Sequence, residues 1–208
     1  INAMDAANET EGAAAAVNEA QTESTTVNTD PAEHTSAEQA VIDAYQDSTD
    51  ESLREVFEAQ YSGEQKGFIR HTISDVSERQ AADAARILGG EYNGYKNAIN
   101  SNGVRHIINE HGPDGTVDHS LRDFNDAARI GYVLDNYDSV VQTTYKKSGD
   151  ADYSAEFRTK DNVPAPMLKF SKKVNGTFYV VEAIPESKYK KFWVVGAYME
   201  ADNGTQAP

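Results

Sequence analysis

The decamer Gly103-Val104-Arg105-His106-Ile107-Ile108-Asn109-Glu110-His111-Gly112 holds two of the chain's five histidines, with an arginine and a glutamate, between two glycines. Val104, Ile107, Ile108 and His111 stand at i, i+3, i+4 and i+7, the spacing of one buried helical stripe. The run therefore predicts a helix with His111 turned inward. His106 is five residues earlier, about 140° around the helix at roughly 100° per residue, beside Asn109 and Glu110. The two imidazoles fall on different faces. A zinc pair on a helix needs histidines four apart with a glutamate after the first, and this spacing is five. Gly112-Pro113 stops the helix and puts His111 in its last turn, where carbonyl dipoles favour a protonated ring.

Outward from this helix the period of the apolar residues changes once. On the N-terminal side, Ser36 with Glu38 and Gln39 predicts a helix start, and two short helices are expected before residue 60. Residues 68–74 are ambiguous and fit a short strand. Ser77-Glu78-Arg79-Gln80 is a capping box opening a helix with Ala81, Ala84, Ala85 and Leu88 inward, ended by Gly89-Gly90. On the C-terminal side, Ser120-Leu121-Arg122-Asp123 caps a helical segment that Asn136 and Asp138 end. From Ser139 the period becomes two, and residues 140–145, 153–159, 167–173, 177–184 and 192–199 read as strands. Asn175-Gly176 joins the third and fourth of these in a hairpin, and residues 146–152 suggest a second tip. Helices first and strands afterwards give an α+β plan, with N-terminal helices packed on a small twisted antiparallel sheet of four to five strands.

Net charge is −15, but it is unevenly spread. Residues 1–66 hold 15 acidic against 2 basic side chains, whereas residues 67–208 hold 19 against 17, and residues 139–191 carry 10 basic against 6 acidic. The second half is thus locally basic, while the acidity belongs to the lead-in. Zero cysteines exclude a disulfide scaffold, thiol catalysis and thiolate-bound metal together. No apolar run reaches a membrane span, and the N-terminus lacks the basic and apolar regions of a signal peptide. The expected organisation is an acidic low-complexity lead-in over 1–35, a helical extension over 36–66, a domain over 67–200 and the start of a linker over 201–208.

The ordered set Arg105-His106-Ile107-Ile108, His111-Gly112, Asp126 to Asp138 (DAARIGYVLDNYD), the Lys169 strand, Tyr179-Val180-Val181-Glu182 and Trp193-Val194-Val195-Gly196-Ala197-Tyr198 resembles the phage-associated barnase/EndoU/colicin/RelE-like (BECR-fold) nucleases of phage and mobile-element toxin proteins. The resemblance runs from Val76 to Tyr198. It implies a metal-independent ribonuclease without a cofactor, acting on tRNA or another structured RNA. The candidate partner it suggests is an immunity protein. The protein would work in the cytoplasm or be delivered into a target cell.

Cleavage of RNA without a metal needs a base for the 2′-hydroxyl proton, an acid for the leaving oxygen and a cation for the phosphorane charge. His106 and His111 are the acid/base candidates, with Lys169 as the charge-neutralising residue. Arg105 offers a planar fork to phosphate oxygens. Lys169 and Ser171 share a strand face and could line a site with Tyr198. Each residue also has a plainer reading, as a satisfied core histidine at His111, a solvated histidine at His106 and a solvated sheet face at Lys169. Gly196 stands where the resemblance leads us to expect a serine or threonine. That departure keeps open the alternative of a catalytically attenuated domain that serves as an interaction module.

Overall fold

The computed structural model describes residues 34–144 and 165–201. Helix α1 (Ser36–Asp47) opens at the expected Ser36, with Thr35 as its cap. The Thr35 hydroxyl accepts from the Glu38 N–H, and the Glu38 carboxylate accepts in return from the Thr35 N–H. Helix α2 (Glu51–Ser62) is capped by Asp50. Helix α3 (Glu78–Leu88) starts at Ser77 as the sequence predicts, but the Gln80 amide does not return to the cap. It pairs reciprocally with buried Asn97, at 2.8 and 2.9 Å, so that neither amide is left unbonded in the core. Helix α4 (Ser101–His111) is the predicted central helix, capped by Asn100, with Val104, Ile107, Ile108 and His111 buried. The segment expected as one helix after Ser120 is two, α5 (Phe124–Ala127) and α6 (Ile130–Asn136). At the break between them Arg129 bonds the Gln46 carbonyl and Asp126.

The strands are β1 (Arg70–Asp75), β2 (Lys96–Asn100), β3 (Ser139–Thr144), β4 (Pro166–Val174), β5 (Thr177–Glu186) and β6 (Lys191–Ala201), in the order β1-β2-β6-β5-β4-β3. The α+β plan holds, with six strands among the described residues in place of four to five. The sheet is mixed because β2 runs parallel to β6. Strand β2 escapes a pattern-based reading because Lys96-Asn97-Ala98-Ile99-Asn100 has only two adjacent apolar residues and a buried asparagine. The Asn175-Gly176 turn is as expected, with φ of 49° and 71°, the positive values that match the right-handed twist of a hairpin. The expected strand 153–159, the hairpin tip 146–152, residues 1–33 of the lead-in and residues 202–208 lie outside the described residues.

The helices bury Leu53, Phe57, Phe124, Leu134 and Tyr137 against Leu168, Phe170, Phe192 and Val194 of the sheet. Helices α1 and α2 are fastened to the later helices by aromatic and polar contacts. Phe57 stacks on Phe124 with ring centres 5.8 Å apart, and the Tyr45 hydroxyl donates to Asp126 at 2.8 Å. Asp126 and Arg129 of the DAARIGYVLDNYD run thus have structural work, as does Asp138, whose carboxylate accepts from the Lys172 ammonium and the Lys173 N–H.

The flank of β6 decides where the central helix can lie. Strand β2 pairs only residues 96–99 with residues 191–194 of β6. Beyond that point α4 and its following loop lie along β6, and the Met199 N–H donates to the Ser120 hydroxyl at 3.1 Å. Gly103 makes the close approach possible, because a β-carbon there would overlap the Val194 carbonyl oxygen. The chain cannot yield easily, since the obstructing atom is sheet backbone. Gly103→Ala is therefore expected to lower stability by about 1–3 kcal/mol, the usual range for overpacking, read as a lower urea midpoint at unchanged slope.

Candidate active site

Because α4 ends beside the C-terminal half of β6, it delivers His111 to the ring of Tyr198. The two rings stack with centres 4.9 Å apart and 26° between planes. His111 is only 7% exposed, and its Nδ1 lies 2.9 Å from Asp118 Oδ2. A carboxylate can only accept, so Nδ1 carries the proton and Nε2 is the nitrogen left for chemistry. Asp118 is in turn held by Ser120, whose backbone N–H donates at 2.8 Å. Burial works against the Asp118 charge, but the bonds from Ser120 and His111 outweigh it and keep this carboxyl below its usual range. The loop after α4 thus holds the imidazole in one tautomer and one orientation.

From the sheet side, Lys169 on β4 places its ammonium 5.5 Å from the centre of the Tyr198 ring and 3.3 Å from a Glu200 oxygen. Next to it is a group that the sequence reading did not single out as a site residue, Glu182 on β5. The Tyr198 hydroxyl donates to Glu182 Oε1 at 3.4 Å. Burial pushes the Glu182 carboxyl above the ordinary glutamate range, against the opposing pull of Lys169, Tyr198 and His111. Burial, and after it the charge of Glu182, pushes the Tyr198 phenol well up, so it stays a hydrogen-bond donor at any physiological pH. A signal for Glu182 was present. The two-residue turn at Asn175-Gly176 pairs Val174 with Thr177, and counting back from it places Lys169 directly opposite Glu182.

Gly196 has a use in this arrangement. It is the cross-strand partner of Glu182, and a β-carbon at Gly196 would stand 2.6 Å from Glu182 Oε2. The carboxylate fills the space that a larger residue would occupy.

Of the remaining predicted residues, Ser171 shares the sheet face of Lys169, in register with Val180 and through it with Tyr198, whereas Arg105 and His106 line a separate cleft. Ser171 is buried, at 5% exposure, and its carbonyl accepts from the Asp138 N–H. Arg105 and His106 face an open cleft of about 780 Å³ between α2, α4 and the loop that follows α4. The two imidazoles do occupy different faces of α4, as their spacing requires, yet Glu110 reaches both. Its Oε1 lies 3.4 Å from His106 Nδ1 and its Oε2 lies 3.8 Å from His111 Nε2. Among the described residues no three histidine, aspartate or glutamate side chains are gathered to hold a metal ion, and no helix is long and apolar enough to cross a membrane.

The raised Glu182 carboxyl has a consequence for stability with a definite sign. A carboxyl that holds its proton more tightly when folded makes the native state bind more protons than the unfolded one, so stability falls as pH rises from the ordinary glutamate value, about 4.3, through the raised one. Glu182→Gln removes this cost. The variant is expected to be more stable than the wild type at pH 7 and to match it below about pH 4, as thermal melts across that range would show.

A family model described as phage-Barnase-EndoU-ColicinE5/D-RelE like nuclease3 matches residues 74–206, well over half of the chain. Neither the curated proteins nor the solved structures gave a match. The matched region contains α4, the loop after it and all of β4, β5 and β6, the elements that bring His111, Lys169, Glu182 and Tyr198 together. The chain belongs to the phage-Barnase-EndoU-ColicinE5/D-RelE like nuclease3 family, so its function is nuclease-like and its substrate class is nucleic acid.

Proposed function

We propose that the protein is a metal-independent endoribonuclease whose reaction is carried by His111, Glu182, Lys169 and Tyr198. The observation that supports this most directly is that an oriented imidazole, a carboxyl with a raised proton affinity and an ammonium surround a single phenol. In the reaction the ribose 2′-oxygen attacks phosphorus and the bond to the 5′-oxygen breaks, leaving a 2′,3′-cyclic phosphate and a 5′-hydroxyl. Glu182, with its affinity moved toward neutral pH, suits removal of the 2′-hydroxyl proton. His111 suits the opposite transfer, giving its Nε2 proton to the leaving 5′-oxygen, with Asp118 stabilising the imidazolium. Lys169 offsets the charge that accumulates on the phosphorane, and the Tyr198 hydroxyl, which donates to the Glu182 carboxylate before the reaction, turns to a phosphate oxygen once Glu182 has taken the 2′-hydroxyl proton. In this scheme Arg105 and His106 contact RNA away from the scissile bond, and Ser171 supports the sheet.

One observation favours the second reading, a binding module with little catalysis. Lys169 already faces the Glu200 carboxylate, which competes with a phosphate for its charge. Incubation with total tRNA in the presence of a chelator separates the two. Cleavage to cyclic-phosphate ends is expected, with His111→Ala and Glu182→Gln each about 10²–10⁴-fold slower, the range for one acid or base, and His106→Ala affected far less. Absence of cleavage by folded wild-type protein at high concentration leaves the binding module standing. His111→Ala cutting at the wild-type rate removes His111 from the chemistry.

A further inference from the structure

We infer that the cleft on the His106 face of α4 is a nucleobase subsite in which Tyr61 stacks on an unpaired base and Glu110 accepts from that base's exocyclic amine. The inference rests on the ribonuclease reading for its biological substrate, but its chemistry stands on the cleft itself. The volume of about 780 Å³ falls within the range of sites for nucleotide-sized ligands. One wall comes from α2, which precedes the family-matched region, and the other from α4 and the loop after it.

Tyr61 is 46% exposed, unusual for a ring held as firmly as this one. Its hydroxyl donates to Asp114 at 2.7 Å, and it meets Phe124 edge-on at 5.4 Å, while Phe124 rests on buried Phe57 at 5.8 Å. A ring tied at its hydroxyl and packed against Phe124, yet nearly half exposed and lining an open cleft, offers a preformed platform for a base, since ordering it costs little entropy on binding. Opposite are Arg105, His106 and the Glu110 carboxylate. Glu110 accepts and does not donate, so it suits the exocyclic amines of adenine, cytosine and guanine, whereas uracil carries only carbonyl oxygens at those positions and can offer no donor but its ring N3–H. Glu110 also lies between His106 and His111, so a base seated here would neighbour the proposed reaction centre along the RNA strand.

The test uses nucleosides, which bind without being cut. Titration of the full chain with adenosine, cytidine and uridine, followed by amide chemical shifts, is expected to move Tyr61, His106 and Glu110, with uridine about tenfold weaker, as befits loss of one hydrogen bond to a charged group. Tyr61→Ala should abolish the shifts and Tyr61→Phe should keep most of them, both in proteins whose remaining spectrum is native. Glu110→Gln, whose amide keeps one acceptor, should narrow the gap to uridine. Equal binding of uridine, shifts that persist in Tyr61→Ala or no shifts in the cleft each overturn the inference, even if RNA is cleaved. Nucleoside binding of the expected kind in a protein that cuts no RNA would overturn the nuclease reading and leave the subsite intact.

Discussion

The contact between α4 and the free half of β6 governs the architecture of the site. A parallel strand covers only the first four pairs of β6, and the edge beyond would present unpaired backbone groups. Helix α4 and its loop take that place, with Gly103 admitting the Val194 carbonyl and the Ser120 hydroxyl accepting from Met199. Closing the edge with a helix rather than a strand brings the end of that helix, and with it His111, over a strand residue that also touches Glu182 of β5 and Lys169 of β4. Tyr198 is that residue.

The charges in the site are arranged in opposition. Asp118 is held ionised by donors and Glu182 is pushed toward its neutral form by burial, so two carboxyls close to one imidazole differ in their readiness to hold a proton. Such a divergence is the usual basis for separating acid and base roles within one site. Gly196 belongs to the same design, because its missing side chain is what lets Glu182 lie flat between Lys169 and Tyr198. From the sequence, the glycine reads as a missing hydroxyl. Across the sheet it is the space that a carboxylate fills.

The helical extension before the matched region contributes to more than the core. Its first helix ties Tyr45 to Asp126, and its second carries Tyr61 to the rim of the cleft. The acidic surplus of residues 1–66 includes this extension, so the face that α2 adds is chemically unlike the basic strands on which Lys169 sits.

Helix α4, its buried stripe and the opposite placing of its histidines were legible in the sequence, because helical periodicity and a Gly-Pro stop are local properties of consecutive residues. The β4–β5 hairpin was legible for the same reason, through the backbone that Asn175-Gly176 demands. Strand β2 was not, since its stability comes from the Gln80–Asn97 amide pair and from a partner strand some 90 residues away, neither of which leaves a local pattern. The same hairpin sets Lys169 opposite Glu182, but the meeting of that pair with Tyr198 and His111 was decided by the tertiary structure. Residue type and spacing fix which face of its own element a side chain occupies, but only the packing of α4 on the β6 edge and the register of three strands determine which faces meet.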